Sequence, residues 1–212
     1  METTTERGLS KTRIEALSDG IFAFAMTLLI LDVKIPSLEL GHEAGLPRRL
    51  LDVAPRFLAY AMSFLIVGVH WVGHHAQLHY IRRTDRAYIW SNLFYLMAIS
   101  SLPFSAGLMG QYPRQPIAIT IYCLTLIVAG LLLFGQLRYA AGRGQLFDPD
   151  IDPRFIAAGG RRILMGPKIY LAAALLSFLS PSLSLLLCIL TPLLYMVPGE
   201  VDRYWHLGHR RS

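Results

Sequence analysis

R-I-E-A-L-S-D-G-I-F-A-F-A-M-T-L-L-I-L-D-V-K, residues 13–34, is the stretch whose reading decides the fold. A polar cluster of Arg13, Glu15, Ser18 and Asp19 runs straight into an uninterrupted apolar and small segment, residues 20–31, which Asp32 and Lys34 close. Twelve helical residues rise only about 18 Å, short of a hydrocarbon core about 30 Å thick. Counting the polar cluster as helix reaches the required length, and it then carries ionisable side chains to the edge of the bilayer. Such groups are costly there and face protein or water rather than lipid. At about 100° per residue, Gly20, Phe24, Thr27, Leu28, Leu31 and Ile35 fall on one stripe. Phe22, Met26, Leu29 and Val33 occupy the opposite side. Both faces are apolar, so the pattern alone does not say which of them meets lipid.

Outward from this helix, the composition points the same way. Of 212 residues, 54% are hydrophobic and 16% charged, above the roughly 45–50% apolar share of soluble domains. The apolar residues arrive in blocks of spanning length. Six are expected, at about 13–34, 54–76, 87–110, 116–137, 166–180 and 183–198, the last two joined by the tight Ser180-Pro181-Ser182 connection. The formal charge of +6 does not suggest nucleic acid, because the basic residues sit between apolar blocks rather than among aromatics on one surface. With an even number of spans, fifteen basic residues, including Arg82, Arg83, Arg138, Arg143, Arg161, Arg162 and Lys168, fall on one side, and Lys34, Arg48, Arg49, Arg56 and Arg114 on the other. That asymmetry puts both termini in the cytoplasm. No cleavable signal peptide is visible, so the first helix is expected to stay in the mature protein. The longest cytoplasmic connection is expected at residues 138–165, and an outer loop or short amphipathic helix at 35–53.

Three motifs identify a family. Arg13-x-x-x-Leu17-Ser18-Asp19-Gly20 followed by Thr27-Leu28-Leu29-Ile30-Leu31 resembles the first-helix signature of the transmembrane protein 175 family of potassium channels. S-F-L-I-V-G-V-H-W-V-G-H-H at residues 63–75, and Asn92 followed by L-P-F-S at 102–105, match the family further along. Leu17 stands where the motif usually has phenylalanine. The resemblance covers most of the chain from Arg13 onward. It implies an all-α polytopic membrane protein with six transmembrane helices per subunit, organised as a cytoplasmic segment 1–12, a channel domain 13–198 and a cytoplasmic tail 199–212. It also implies a potassium-permeable cation channel in the cell membrane. Since the chain carries one copy of the motif, it is similar to the prokaryotic members, which assemble as homotetramers.

The same resemblance places a bulky apolar constriction at Phe24, with further pore lining at Thr27, Leu28 and Leu31. Most members have isoleucine or leucine at the position of Phe24. A ring narrower than a hydrated ion gates by dewetting. Thr27 supplies the only hydroxyl of the stripe; its oxygen either meets a partly dehydrated cation or bonds the carbonyl of Ala23. In relatives the polar motif joins groups of neighbouring helices in a network that braces the pore helix. The matching residues are Arg13, Ser18, Asp19, His74 or His75, and Asn92.

Other chemistries find less support. No carbonyl filter of the T-V-G-Y-G kind is present. His70 and His74 share a helical face, but no cysteine or carboxylate completes a zinc site, and no metal or cofactor is expected. Asp148, Asp150 and Asp152 imitate a calcium loop, with Pro153 where glycine is needed. Cys123 and Cys188 read as small buried hydrophobes. No nucleophile or metal constellation points to an enzyme. A proton-coupled transporter or a proton leak pathway is the alternative, suggested by the histidines and weakened by the absence of an internal repeat.

Overall fold

The computed structural model describes residues 11–34 and 46–197, the main chain alone at 46–50. Among the described residues seven α-helices follow one another: α1 (Lys11–Leu28), α2 (Leu46–His79), α3 (Arg86–Ser100), α4 (Leu102–Gln111), α5 (Pro116–Ala141), α6 (Pro153–Ser177) and α7 (Pro181–Met196). A 3₁₀ turn, Leu29–Asp32, prolongs α1. Helices α3 and α4 act as one span with a break at Ser101, because Pro103 has no N–H to offer and its ring crowds the carbonyl four residues earlier. The chain is thus an all-α polytopic membrane protein with six spans. Four of them, Lys11–Asp32, Leu51–His79, Arg86–Gln111 and Pro116–Ala141, are long and apolar enough to cross a bilayer by themselves. The antiparallel pair α6 and α7 completes the set, turning at Ser180, whose side chain caps the start of α7.

Two boundaries differ from the sequence expectation. Helix α2 starts at Leu46 rather than near Ala54, so the second half of the expected outer loop is its first two turns; residues 35–45 lie outside the described region. Helix α6 starts at Pro153 rather than at 166. Asp152 caps it, accepting a hydrogen bond from the Arg154 N–H, and Pro153 at the first position fixes a helical φ. Arg154, Arg161 and Arg162 therefore lie on a helix and not in a connecting segment. Their charge is what hides the first half of this span from a hydropathy reading. Arg7, Arg203, Arg210 and Arg211, the 1–10 segment and the 198–212 tail fall outside the described residues.

Helix α5 is the hub. It carries no charge before Arg138, is apolar on every side, and packs on α6, α3, α4 and α7. Close approach to α6 rests on Gly130, where a Cβ would come within 2.7 Å of Pro167 Cγ. Cys123 on α5 and Cys188 on α7, 65 residues apart in sequence, are buried with their thiols 3.8 Å apart. Helix α1 packs on α2, α3 and α4 at the side of this core.

A candidate pore-facing stripe and a buried polar brace on α1

The structure separates the two apolar faces of α1. Phe22 and Leu29 are 1% and 2% exposed, with Ile14, Ser18 and Ala25 on the same side, all turned into the bundle. Phe24 and Leu31 are 64% and 63% exposed. Between them and beyond them, Arg13, Leu17, Gly20 and Thr27 are exposed as well. These positions step by four, three, four, three and four residues, the interval of a straight seam along a helix. Leu28 sits half-buried beside the seam, and Ile35 lies outside the described residues. The 3₁₀ turn advances each residue by about 120° instead of 100°, which brings Ile30 round toward the direction of Thr27. The Thr27 hydroxyl donates to the Phe24 carbonyl at 2.9 Å, not to Ala23. Its oxygen keeps lone pairs for a further partner.

The buried face carries the polar residues that the helix brings into the bundle. Ser18 Oγ donates to the Ile14 carbonyl at 2.8 Å and accepts from Asn92 Nδ2 at 3.2 Å. Asn92 Oδ1 lies 2.7 Å from His74 Nε2, so His74 carries its proton on that nitrogen. Three helices are tied by this chain: α1 through Ser18, α3 through Asn92 and α2 through His74. All three residues are buried, where an unmade hydrogen bond is expensive. The His74 ring also stacks on Tyr95 with centroids 5.2 Å apart, and Phe22 closes against both rings. His70, one turn earlier, meets the Tyr95 hydroxyl at 3.2 Å. Both histidines of the i, i+4 pair thus turn to α3, and among the described residues no group of three metal-binding side chains converges.

The remaining motif residues go elsewhere. Asp19 accepts from Trp71 Nε1 at 2.8 Å, and His75 stacks on that same indole, 5.6 Å between centroids. Asp19, Trp71 and His75 form an exposed cluster, separate from the buried chain. Arg13 lies exposed on the seam. The sequence left His74 and His75 as alternatives; the bundle brings only His74 to Asn92. Trp71 and Tyr95 were not anticipated as partners. Their signal was present in the spacing, since Trp71 and His75 share one face of α2 four residues apart, and Tyr95 lies one turn beyond Asn92 on α3.

Chemically, α1 has one face locked by packing and hydrogen bonds and one long face that is exposed among the described residues. A family model described as "Endosomal/lysosomal potassium channel TMEM175" matches residues 13–103. A potassium channel of Streptomyces collinus is 35% identical over 177 residues, 82% of this chain and 85% of the relative. A potassium channel of Chamaesiphon minutus is 36% identical over 180 residues, 83% of this chain and 88% of the relative. The human endosomal/lysosomal proton channel TMEM175 is 33% identical over 210 residues, 93% of this chain but 40% of that longer protein. The crystal structure of a lysosomal potassium-selective channel TMEM175 homolog from Chamaesiphon minutus superposes with a TM-score of 0.77 at 31% identity, over 87% of this chain and 95% of that one.

Proposed function

This chain belongs to the TMEM175 family, and from that membership we propose that it is a potassium-permeable cation channel whose pore is lined by α1. The observation that carries the reading is the seam of Leu17, Gly20, Phe24, Thr27 and Leu31, exposed among the described residues, on a helix whose other face is fixed in the bundle. A homotetramer with α1 around its axis covers that seam and leaves the apolar surfaces of the outer helices to lipid. Phe24 then forms the narrowest apolar ring, with Thr27, Leu28 and Leu31 as further lining. A dry ring of this kind opposes ion passage until the helices spread or rotate. The Ser18–Asn92–His74 chain holds α1 at a fixed rotation, so that the seam and not Phe22 faces the axis. Asp19 and Arg13, outside that chain, are placed to meet a neighbouring subunit. Residues 13–198 are the channel domain. The excess of basic residues in the 80–86 and 138–152 connections puts those loops and both termini in the cytoplasm of a cell whose surface membrane holds the protein.

The test is potassium flux into proteoliposomes of the purified protein, run against sodium. Wild type is expected to pass potassium in preference, Phe24→Ala to pass more, and Thr27→Ala to alter the ratio. Correctly oriented, assembled protein that passes neither ion in any of the three forms sinks the reading. A proton pathway is the second reading, favoured by the human relative's name. Flux of a pH-sensitive dye through the same vesicles, with potassium absent, separates the two.

A further inference from the structure

Away from α1, two cavities meet at one wall. The first is an apolar groove of about 660 Å³ between α2, α5 and α6. The second, of about 770 Å³, lies beyond the helix ends, between the loop after α2 and the loop before α6. Phe147, Ile151 and Ile156 line both, so the groove and the outer cavity are adjoining compartments of one cleft. Each is within the range of about 300–1,000 Å³ that accommodates whole small ligands.

The outer compartment is built rather than incidental. The two loops are clipped together by an antiparallel bridge between Ile81 and Phe147. The Arg82 N–H bonds the Leu146 carbonyl at 2.9 Å, and the Asp148 N–H bonds the Tyr80 carbonyl at 3.2 Å. Gln145, at a left-handed φ of 44°, turns the chain into this clip. Arg82 and Arg83 line the compartment, with Asp148 as the carboxylate among its lining residues, and no carboxylate or hydrogen-bond acceptor engages either guanidinium among the described residues.

We infer that this cleft binds one anionic phospholipid per chain, its phosphate held by Arg82 and Arg83 and an acyl chain laid in the groove between α2, α5 and α6. Charge selects the head: two guanidinium forks match phosphate oxygens. Apolar walls select the tail. The location fits, since the arginines stand at the ends of membrane-spanning helices, on the face that carries the basic loops. A lipid seated there lies between α2 and α6, which face each other across the groove.

Native mass spectrometry of the full chain, released from phosphatidylcholine vesicles with and without added phosphatidylglycerol, reads retained lipid directly and does not depend on ion flux. Three forms are compared: wild type, the double variant R82Q/R83Q, and Gly159→Leu. Both arginines are exposed, and a Cβ at Gly159 meets nothing within 4 Å, so each change starts from a position with room. Wild type is expected to keep phosphatidylglycerol over phosphatidylcholine. The preference falls about 25-fold in R82Q/R83Q, at about fivefold per arginine. Gly159→Leu, whose side chain fills the groove, loses retention of either lipid. Retention unchanged in both variants overturns the assignment. So does binding of inorganic phosphate to wild type without any retained lipid, which would make the arginines a soluble-anion site, or a groove found covered by a second copy of the chain.

Discussion

Replacing Asn92 by leucine tests the brace on α1 most directly. The side chain is nearly isosteric, so the change is chemical rather than volumetric. Asn92 makes two buried hydrogen bonds, to Ser18 at 3.2 Å and His74 at 2.7 Å. Each is worth about 1 kcal/mol net in soluble proteins and about 0.6 kcal/mol on average between membrane helices. Ser18 keeps its bond to the Ile14 carbonyl, but His74 Nε2 is orphaned in the bundle, which costs about 1–3 kcal/mol. The expected loss is about 2–4 kcal/mol. His74→Phe keeps the ring against Tyr95 and Phe22 and removes the nitrogen. The double variant then has no orphan, and is expected to be more stable than the sum of the two single changes by about 1–2 kcal/mol. Reversible unfolding in mixed micelles, followed by tryptophan fluorescence, measures all four forms, with the exposed Met97→Leu as a control. Additivity within about 0.5 kcal/mol would refute the reasoning, because it would mean that His74 and Asn92 are neighbours without being coupled.

Other outcomes follow from single distances. Gly130→Ala sets a methyl 2.7 Å from the Pro167 ring, which has no rotamer to retreat into, and is expected to destabilise by about 1–3 kcal/mol in the same unfolding assay. Gly107→Ala first meets the Asp32 carboxylate, the end of an exposed side chain that can swing aside, and should stay within about 0.5 kcal/mol of wild type. If four copies of α1 surround an axis, Leu17→Cys on the exposed seam forms interchain disulfides under mild oxidant, seen as dimers on a non-reducing gel. Ala25→Cys, on the buried face, forms none. The native Cys123 and Cys188 are buried and give little background.

The spans were legible from the sequence because hydropathy is a property of each segment taken alone. A bilayer asks every spanning helix for the same length and apolarity, whatever its neighbours. The Ser180-Pro181 turn and the polar start of α1 could be read in the same way. The first half of α6 could not, since Arg154, Arg161 and Arg162 break the apolar run and only the Asp152–Pro153 start signal marks where the helix begins.

Facing is a different kind of fact. A helix that is apolar all round has no preferred side until its partners are in place, so the sequence offered Phe22 and Phe24 as equals. Packing of α1 on α2, α3 and α4 buried the first and exposed the second. The same holds for the pairings. His74 and His75 are neighbours in sequence but about 100° apart around α2, and only the position of α3 selects the one that reaches Asn92. Arg82 and Leu146 are 64 residues apart, and no local rule brings their loops together. The sequence by itself determined the all-α membrane class, the six spans and an unusually polar first helix. Tertiary structure alone decided which surfaces of those helices remain for ions, lipid and other subunits, because that choice depends on distances between segments that no periodicity encodes.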